Sequence, residues 1–327
     1  MRRREFIGVM GGAVAWPIVA RAQPVGRTPT VGVLWHAGGP SEEQPYFDAL
    51  VQGFKDLGYI EGQNIKFEHR FPNEIPERFR QMATELAKLN VSAIVTVGNT
   101  TAQYAKQATA TIPVVFVFVN DPVGAKLVNT LARPGGNITG HSVIGIDLTA
   151  KRFELLREIV PQVSHVGLLL NPAEPSAAQY FAEGKAAATA LGLTVSPFEL
   201  RSLNEMESVF ASMKQAGVQA VSLGPGGLLF QGKVDLAKHA LSYRMPTCGW
   251  SRETLVSGLL LSYGPDLVKI VSQAATFVDK ILHGTKPGDI PVQQPTRFQL
   301  LVNQRVAKAL NINIPASFFS RADDVIE

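Results

Sequence analysis

Apolar and polar positions along this chain change period again and again. Residues 30–35 form a short apolar run rich in β-branched side chains, with Val31 and Val33 at its centre, and read as a buried strand. Residues 47–57 carry Leu50, Phe54 and Leu57 at the spacing of one helix face and stop at Gly58, a natural C-cap. Residues 64–69 then read as a strand, 77–89 as a helix, 91–97 as a strand, 101–108 as a helix and 113–119 as another apolar strand. Strands that alternate with helices in this way imply a parallel sheet covered on both faces.

The same order returns in the second half. His165 to Leu170 repeats the first strand, with Val166 standing 135 residues after Val31. The helix at 180–191 ends in Leu191-Gly192, as the first ended in Leu57-Gly58. A strand at 194–199, a helix at 205–216, a strand at 219–223 and a helix at 230–243 follow. Met245-Pro246-Thr247 then stands where Ile112-Pro113-Val114 stood. A unit this long is too large for a solenoid repeat. The pattern predicts an α/β fold of two doubly wound parallel-sheet lobes. Pro134, Gly135 and Gly136 place the first crossing between them at 133–137, because such residues continue neither a helix nor a central strand.

The first 22 residues follow a different logic. Arg2, Arg3 and Arg4 precede an uncharged stretch from Phe6 to Ala20, and Ala20-Arg21-Ala22 supplies a small-x-small cleavage pattern before Gln23. The Arg-Arg-Glu-Phe-Ile order within it fits export by the twin-arginine route, and hence a periplasmic location. The stretch is too short to span a bilayer, and with no Cys after the cleavage site a lipid anchor has no attachment point, so no stable membrane insertion is expected after cleavage. This segment holds four arginines and one glutamate, so +3 of the formal +4 net charge leaves with it. The nearly neutral remainder argues against a nucleic-acid partner. A single cysteine, Cys248, allows no internal disulfide, and a chain of this length buries a core without one.

Open α/β sheets bind ligands beyond the carboxyl ends of their strands, and two such sheets face to face make a cleft that closes on its ligand. The residues following the strands are therefore the candidates. In the first lobe they are Trp35, His36, Asn99, Thr100, Thr101, Asn120 and Asp121. In the second they are Asn171, Gly224 to Gly226 and Gly249 to Ser251 with Trp250, and then Tyr263 and Asp266 beyond the strand at 259–262. Amides, hydroxyls and large aromatics suit a small polar solute with a ring or apolar portion. Thr100 and Thr101 at a helix start fit a carboxylate, Asp121 an ammonium, and Trp35 and Trp250 a ring. Each has a structural alternative: Asp121 before Pro122 also caps turns, the threonines also cap helices, Trp35 and Trp250 also pack in cores, Tyr263 also packs at a hinge, and His36 also stands as a plain loop histidine.

Signals for catalysis fail on inspection. Gly227 to Lys233 imitates a phosphate-binding loop, but Val234 stands where a Mg²⁺-holding Ser or Thr is needed. Gly140-His-Ser-Val-Ile lacks the last glycine of a nucleophile elbow, and the six histidines show no metal-ligand spacing. No enzyme activity and no cofactor are expected.

Several segments resemble one family. Phe118-Val-Asn-Asp-Pro-Val-Gly-Ala125 with Leu131-Ala-Arg-Pro-Gly-Gly-Asn-Ile-Thr-Gly140 is similar to the tryptophan/tyrosine-type ABC transporter substrate-binding proteins. So are Val166-Gly-Leu-Leu-Leu-Asn-Pro172, Leu261-Ser-Tyr-Gly-Pro-Asp-Leu267, and the tail from Pro291 to Asn303 with Ala309 to Pro315. The resemblance implies a type I periplasmic-binding-protein fold whose lobes are joined by a hinge with three crossovers. On that pattern the N-terminal lobe takes 28–138 and 265–287, and the C-terminal lobe 139–264 and 288–327. It also implies an inner-membrane ABC permease with its ATPase as partners, and a monomeric receptor. The function expected is capture of a small polar solute, with an amino acid or aromatic compound foremost, for an ABC importer. The alternative is a periplasmic sensor coupled to a signalling receptor. The chain departs from the family at Asn99, at Asn120 before Asp121, and at Gly249-Trp250-Ser251, which leaves the solute's identity open.

Overall fold

The computed structural model describes residues 28–327. The export signal read at 1–22 lies outside the described residues. Five strands form the first sheet: β1 (Thr30–Leu34), β2 (Lys66–Arg70), β3 (Ala93–Val97), β4 (Val114–Val119) and β5 (Ile138–Ser142), all parallel, in the order β2-β1-β3-β4-β5. The second sheet has seven: β6 (His165–Leu170), β7 (Thr194–Glu199), β8 (Ala220–Leu223), β9 (Thr247–Gly249), β10 (Leu261–Pro265), β11 (Phe298–Asn303) and β12 (Asp324–Ile326). Their order is β12-β11-β10-β9-β8-β6-β7, and only β10 with β11 runs antiparallel. The order β7-β6-β8-β9-β10 reproduces that of the first sheet, so the repeat in the sequence is a repeat in topology.

Burial follows the strand positions. All five residues of β3 and all four of β8 are buried, as central strands between two helical layers must be. β7 lies at an edge and alternates between half-buried and exposed positions, which is where its Pro197 does no harm to the ladder. The helix Tyr46–Asp56 buries Tyr46, Leu50 and Phe54 and packs against the helix Leu267–Leu282. They approach so closely that a Cβ on Gly53 would lie 2.2 Å from the Ser272 carbonyl oxygen, so only glycine fits there.

The chain passes between the lobes three times, and two passages lie later than the sequence pattern placed them. Residues 133–137 are not a crossing. They lead into β5, which pairs with β4 in the first sheet, so 139–142 belong with the first lobe. The first passage follows Val143, which packs in the first lobe's core, and precedes Ile146, which packs in the second's. The second passage joins β10 to the helix Leu267–Leu282, whose Leu267 and Ile270 pack with the first lobe. Residues 288–293 also stay with the first lobe. There the Thr139 hydroxyl donates to the Ile290 carbonyl (2.6 Å), Ser142 N to the Gln293 carbonyl (2.8 Å) and Gln293 N to the Gly140 carbonyl (3.0 Å). The third passage thus spans 294–297, just ahead of β11.

Candidate functional site

In each sheet the strand order reverses direction at one point, between β1 and β3 in the first and between β6 and β8 in the second, and ligands gather at such points. Here the two points face each other. His36 follows β1 and the helix Asn99–Ala108 follows β3. Opposite them, Glu174 lies beyond β6, and the helix Gly227–Gln231 follows β8. Between them lies a cavity of about 90 Å³.

The lobes touch directly around this cavity. Asn99 Nδ2 donates to Glu174 Oε1 (2.6 Å) and Ser176 Oγ (3.2 Å), while Asn99 Oδ1 accepts from Asn120 N (3.1 Å). The Tyr46 hydroxyl donates to Glu253 Oε2 (2.8 Å), and Gln231 Nε2 donates to Glu42 Oε2 and Asn73 Oδ1 (both 2.9 Å). The cleft is closed.

Four rings from both lobes form the apolar wall. Tyr46 meets Phe118 edge-on at 5.1 Å and Phe230 at 5.3 Å, and Phe230 stacks on Trp250 at 6.2 Å. Phe118 reaches the cavity through a local irregularity of β4: its φ is +63°, and the register with β5 shifts between Val117 and Val119. A left-handed residue inside a strand swings its side chain out of the regular alternation. Trp250 is held by its Nε1 donating to the Gly224 carbonyl (3.0 Å).

The polar groups carry unusual charge states. Glu43 is fully buried, and its Oε1 accepts from His36 N (3.0 Å) and Ala37 N (2.8 Å). His36 lies between Glu43 Oε2 (3.3 Å from Nε2) and Glu74 Oε1 (3.2 Å from Nδ1). Burial opposes a charge on His36, but the two carboxylates outweigh it and hold the imidazole up to about 9. Burial pushes Glu174 up to about 7, against the stabilising hydrogen bond from Asn99 and with the charge of Glu74 adding to the rise. Arg152, only 1% exposed, donates from Nε to the Tyr263 carbonyl (2.8 Å) and from Nη1 to the Gly145 carbonyl (2.7 Å).

Of the residues expected at the cleft, His36, Asn99, Thr100, Thr101, Asn120, Pro225, Gly226 and Trp250 line the cavity. Trp35 does not. It is fully buried among Phe47, His69 and Phe71, with Nε1 donating to His69 Nδ1 (3.0 Å). Strand parity explains this: Val31, Val33 and Trp35 share the face packed under helices, and His36 points the other way. Asp121 is turned to its own turn, where Oδ1 accepts from Gly124 N (2.8 Å). Asn171 likewise accepts from Ala173 N (3.0 Å). Gly224 contributes only its carbonyl behind Trp250, and Tyr263 packs against Phe298 in the second lobe. Tyr46, Glu74, Arg152, Glu174, Tyr180 and Phe230 were not among the expected residues but line the cavity. Most sit within helices or well past a strand end, where no local pattern marks them.

Among the described residues no group of three or more His, Cys, Asp or Glu side chains is arranged to hold a metal, and no helix is long and apolar enough to cross a membrane. The sequence model of the ABC transporter substrate binding protein family matches residues 30–326. The chain belongs to that family. A tyrosine-binding protein of Clostridioides difficile (strain R20291) is 26% identical over 283 residues, covering 83% of this chain and 79% of that protein. The crystal structure of an ABC domain from Streptococcus pneumoniae in complex with L-Trp superposes with a TM-score of 0.84 at 26% identity, over 92% of this chain and 100% of that one. A conserved domain protein from Vibrio cholerae O1 biovar El Tor gives 0.86 at 28% identity, over 91% and 100%. The family consists of binding proteins rather than enzymes, and this substrate-binding protein captures a small solute between its lobes for an ABC importer. None of these relatives favours the sensor alternative.

Proposed function

We propose that this substrate-binding protein is a periplasmic receptor for an aromatic amino acid. The observation that carries this reading is the wall of four rings, Tyr46, Phe118, Phe230 and Trp250, assembled from both lobes beside the start of the helix Asn99–Ala108. A planar solute between such rings gains stacking and edge contacts beyond its buried area. Binding of tyrosine and of L-Trp by relatives of similar sequence supports the same class. On this reading the twin-arginine signal at 1–22 delivers the chain across the inner membrane. The receptor binds its solute without turning it over and presents it, as a monomer, to a permease and its ATPase.

Melting curves with L-tryptophan, L-tyrosine and L-phenylalanine test the class, with glucose and myo-inositol as controls. A ligand at about 100 times its Kd stabilises by about 2.7 kcal/mol, which raises the melting temperature by several degrees. No shift from any of the three amino acids at millimolar concentration, or an equal shift from the sugars, refutes the reading.

A further inference from the structure

We infer that Arg152 is the anchor for a carboxylate of the captured solute. This deepens the reading of the interlobe cavity as the solute site and names a group the solute must carry. Arg152 lines the cavity, and its Nη2 is buried with no hydrogen-bond partner, whereas Nε and Nη1 each donate to a carbonyl. Among the described residues no carboxylate pairs with it. The two acids that share the cavity are occupied elsewhere, Glu74 by His36 and Glu174 by Asn99 and Ser176. Arg152 is therefore a buried cation without a counter-ion, a strongly unfavourable arrangement that an anionic ligand corrects.

A guanidinium with two of its nitrogens held by carbonyls and the third, Nη2, left unpaired in the wall of a cavity is preorganised to donate to an anion. A singly charged carboxylate suits it better than a phosphate, because Glu74 and Glu174 in the same cavity repel a second negative charge. The two carbonyl bonds add a consequence for closure. Gly145 lies in the first passage between the lobes and Tyr263 at the end of the second lobe just before the second passage, so the anchor holds the chain where it crosses. A carboxylate seated on Nη2 is thereby tied to the hinge.

Matched acids and amides test the anchor: indole-3-acetate against indole-3-acetamide, benzoate against benzamide, and L-leucine and L-tryptophan against their amides, measured by calorimetry on the exported protein. The wild type should prefer at least one acid to its amide by about 10- to 100-fold, the range of a charge-assisted hydrogen bond. In Arg152→Gln that preference should vanish, and in Arg152→Lys, which keeps the charge but not the fork, it should survive in part. Equal binding of acids and amides by the wild type, no binding of any acid, or an undiminished preference in Arg152→Gln overturns the inference. The wild-type comparison decides even if neither variant folds. Binding of benzoate or leucine with no binding of aromatic amino acids sinks the aromatic reading and leaves the anchor standing.

Discussion

Glu174→Gln should uncouple closure of the lobes from pH between 5 and 6.5. In the closed cleft burial raises this carboxyl from 4.5 to about 7, and parting the lobes would take away Asn99, which covers it from the first lobe, and let water in. It therefore keeps its proton when closed at pH values where the open form has lost it. Closure takes up a proton and weakens as pH rises from about 4.5 to about 7. The full difference is worth about 3 kcal/mol, a few hundred-fold in the closing equilibrium. The groups facing Glu174 are Asn99 and Ser176 by hydrogen bond and Glu74 and His36 by charge. His36, held up to about 9 by Glu43 and Glu74 against its burial, stabilises below 6.5 and loses that effect as pH rises through 9, so it is silent in the lower window. His69 stays neutral in the folded protein there, because burial beneath Trp35 holds it down to about 4, while the unfolded chain takes up a proton near 6.5, so folding stability is lost as pH falls from 6.5 towards 4. It acts on the first lobe's fold rather than on closure. Small-angle scattering is therefore a better readout than melting: the closed fraction of wild type should fall between pH 5 and 6.5, and that of the variant, an isostere of the neutral acid, should stay level. Equal pH dependence in both proteins refutes the reasoning.

Gly227→Ala should obstruct closure. Its Cβ would lie 1.9 Å from Glu74 Oε1 and 2.7 Å from His36 Nδ1, both in the opposite lobe, so the Glu74–His36 pair must give way for the lobes to meet. Solute affinity should drop by about tenfold or more with the melting temperature of the ligand-free protein unchanged, and an unaltered affinity contradicts the closed geometry. Trp35→Ala should cost about 3–5 kcal/mol of stability, measured by chemical denaturation, yet leave solute affinity intact in the folded protein, since the ring lies wholly in the core. Loss of affinity at native stability would return Trp35 to the cleft.

The strands most legible in the sequence are those buried on both faces, because a run such as Val114 to Val119 has no rival reading. β5 was missed for the opposite reason. Ile138-Thr-Gly-His-Ser142 carries a single aliphatic residue, and its burial comes from β4 and from residues 290–293, which return from far along the chain. That one strand accounts for the misplaced first passage. Strand exits led to eight residues of the cavity lining, because a parallel sheet directs every exit to the same edge. They misled at Trp35, where the last strand residue still obeys the core-facing parity, and at Asp121, where a nearby backbone N–H captures the carboxylate before a ligand can.

What strand exits cannot reveal is the chemistry brought by residues distant in sequence. Glu174 sits in Asn171-Pro-Ala-Glu-Pro175, which reads as an ordinary surface turn, and only the approach of Asn99 from the other lobe buries its charge. Arg152 occupies a helix whose neighbours, Lys151 and Glu154, are a solvent-facing pair. Its burial depends on β10 and on the chain before its own helix. The duplicated topology fixes where the cleft lies, since both lobes present the same β1/β3-type switch point. The two lobes do not present the same chemistry there. His36 with its two acids faces a second-lobe surface of glycine backbone and one protonatable acid, so closure brings Glu74 and Glu174 into one low-dielectric space. Like charges in that setting repel strongly unless one takes up a proton or a cationic group of the solute comes between them. Here Glu174 takes up the proton, and the His36 imidazolium faces Glu74, so the closed cleft holds the two acids together without a cationic group between them.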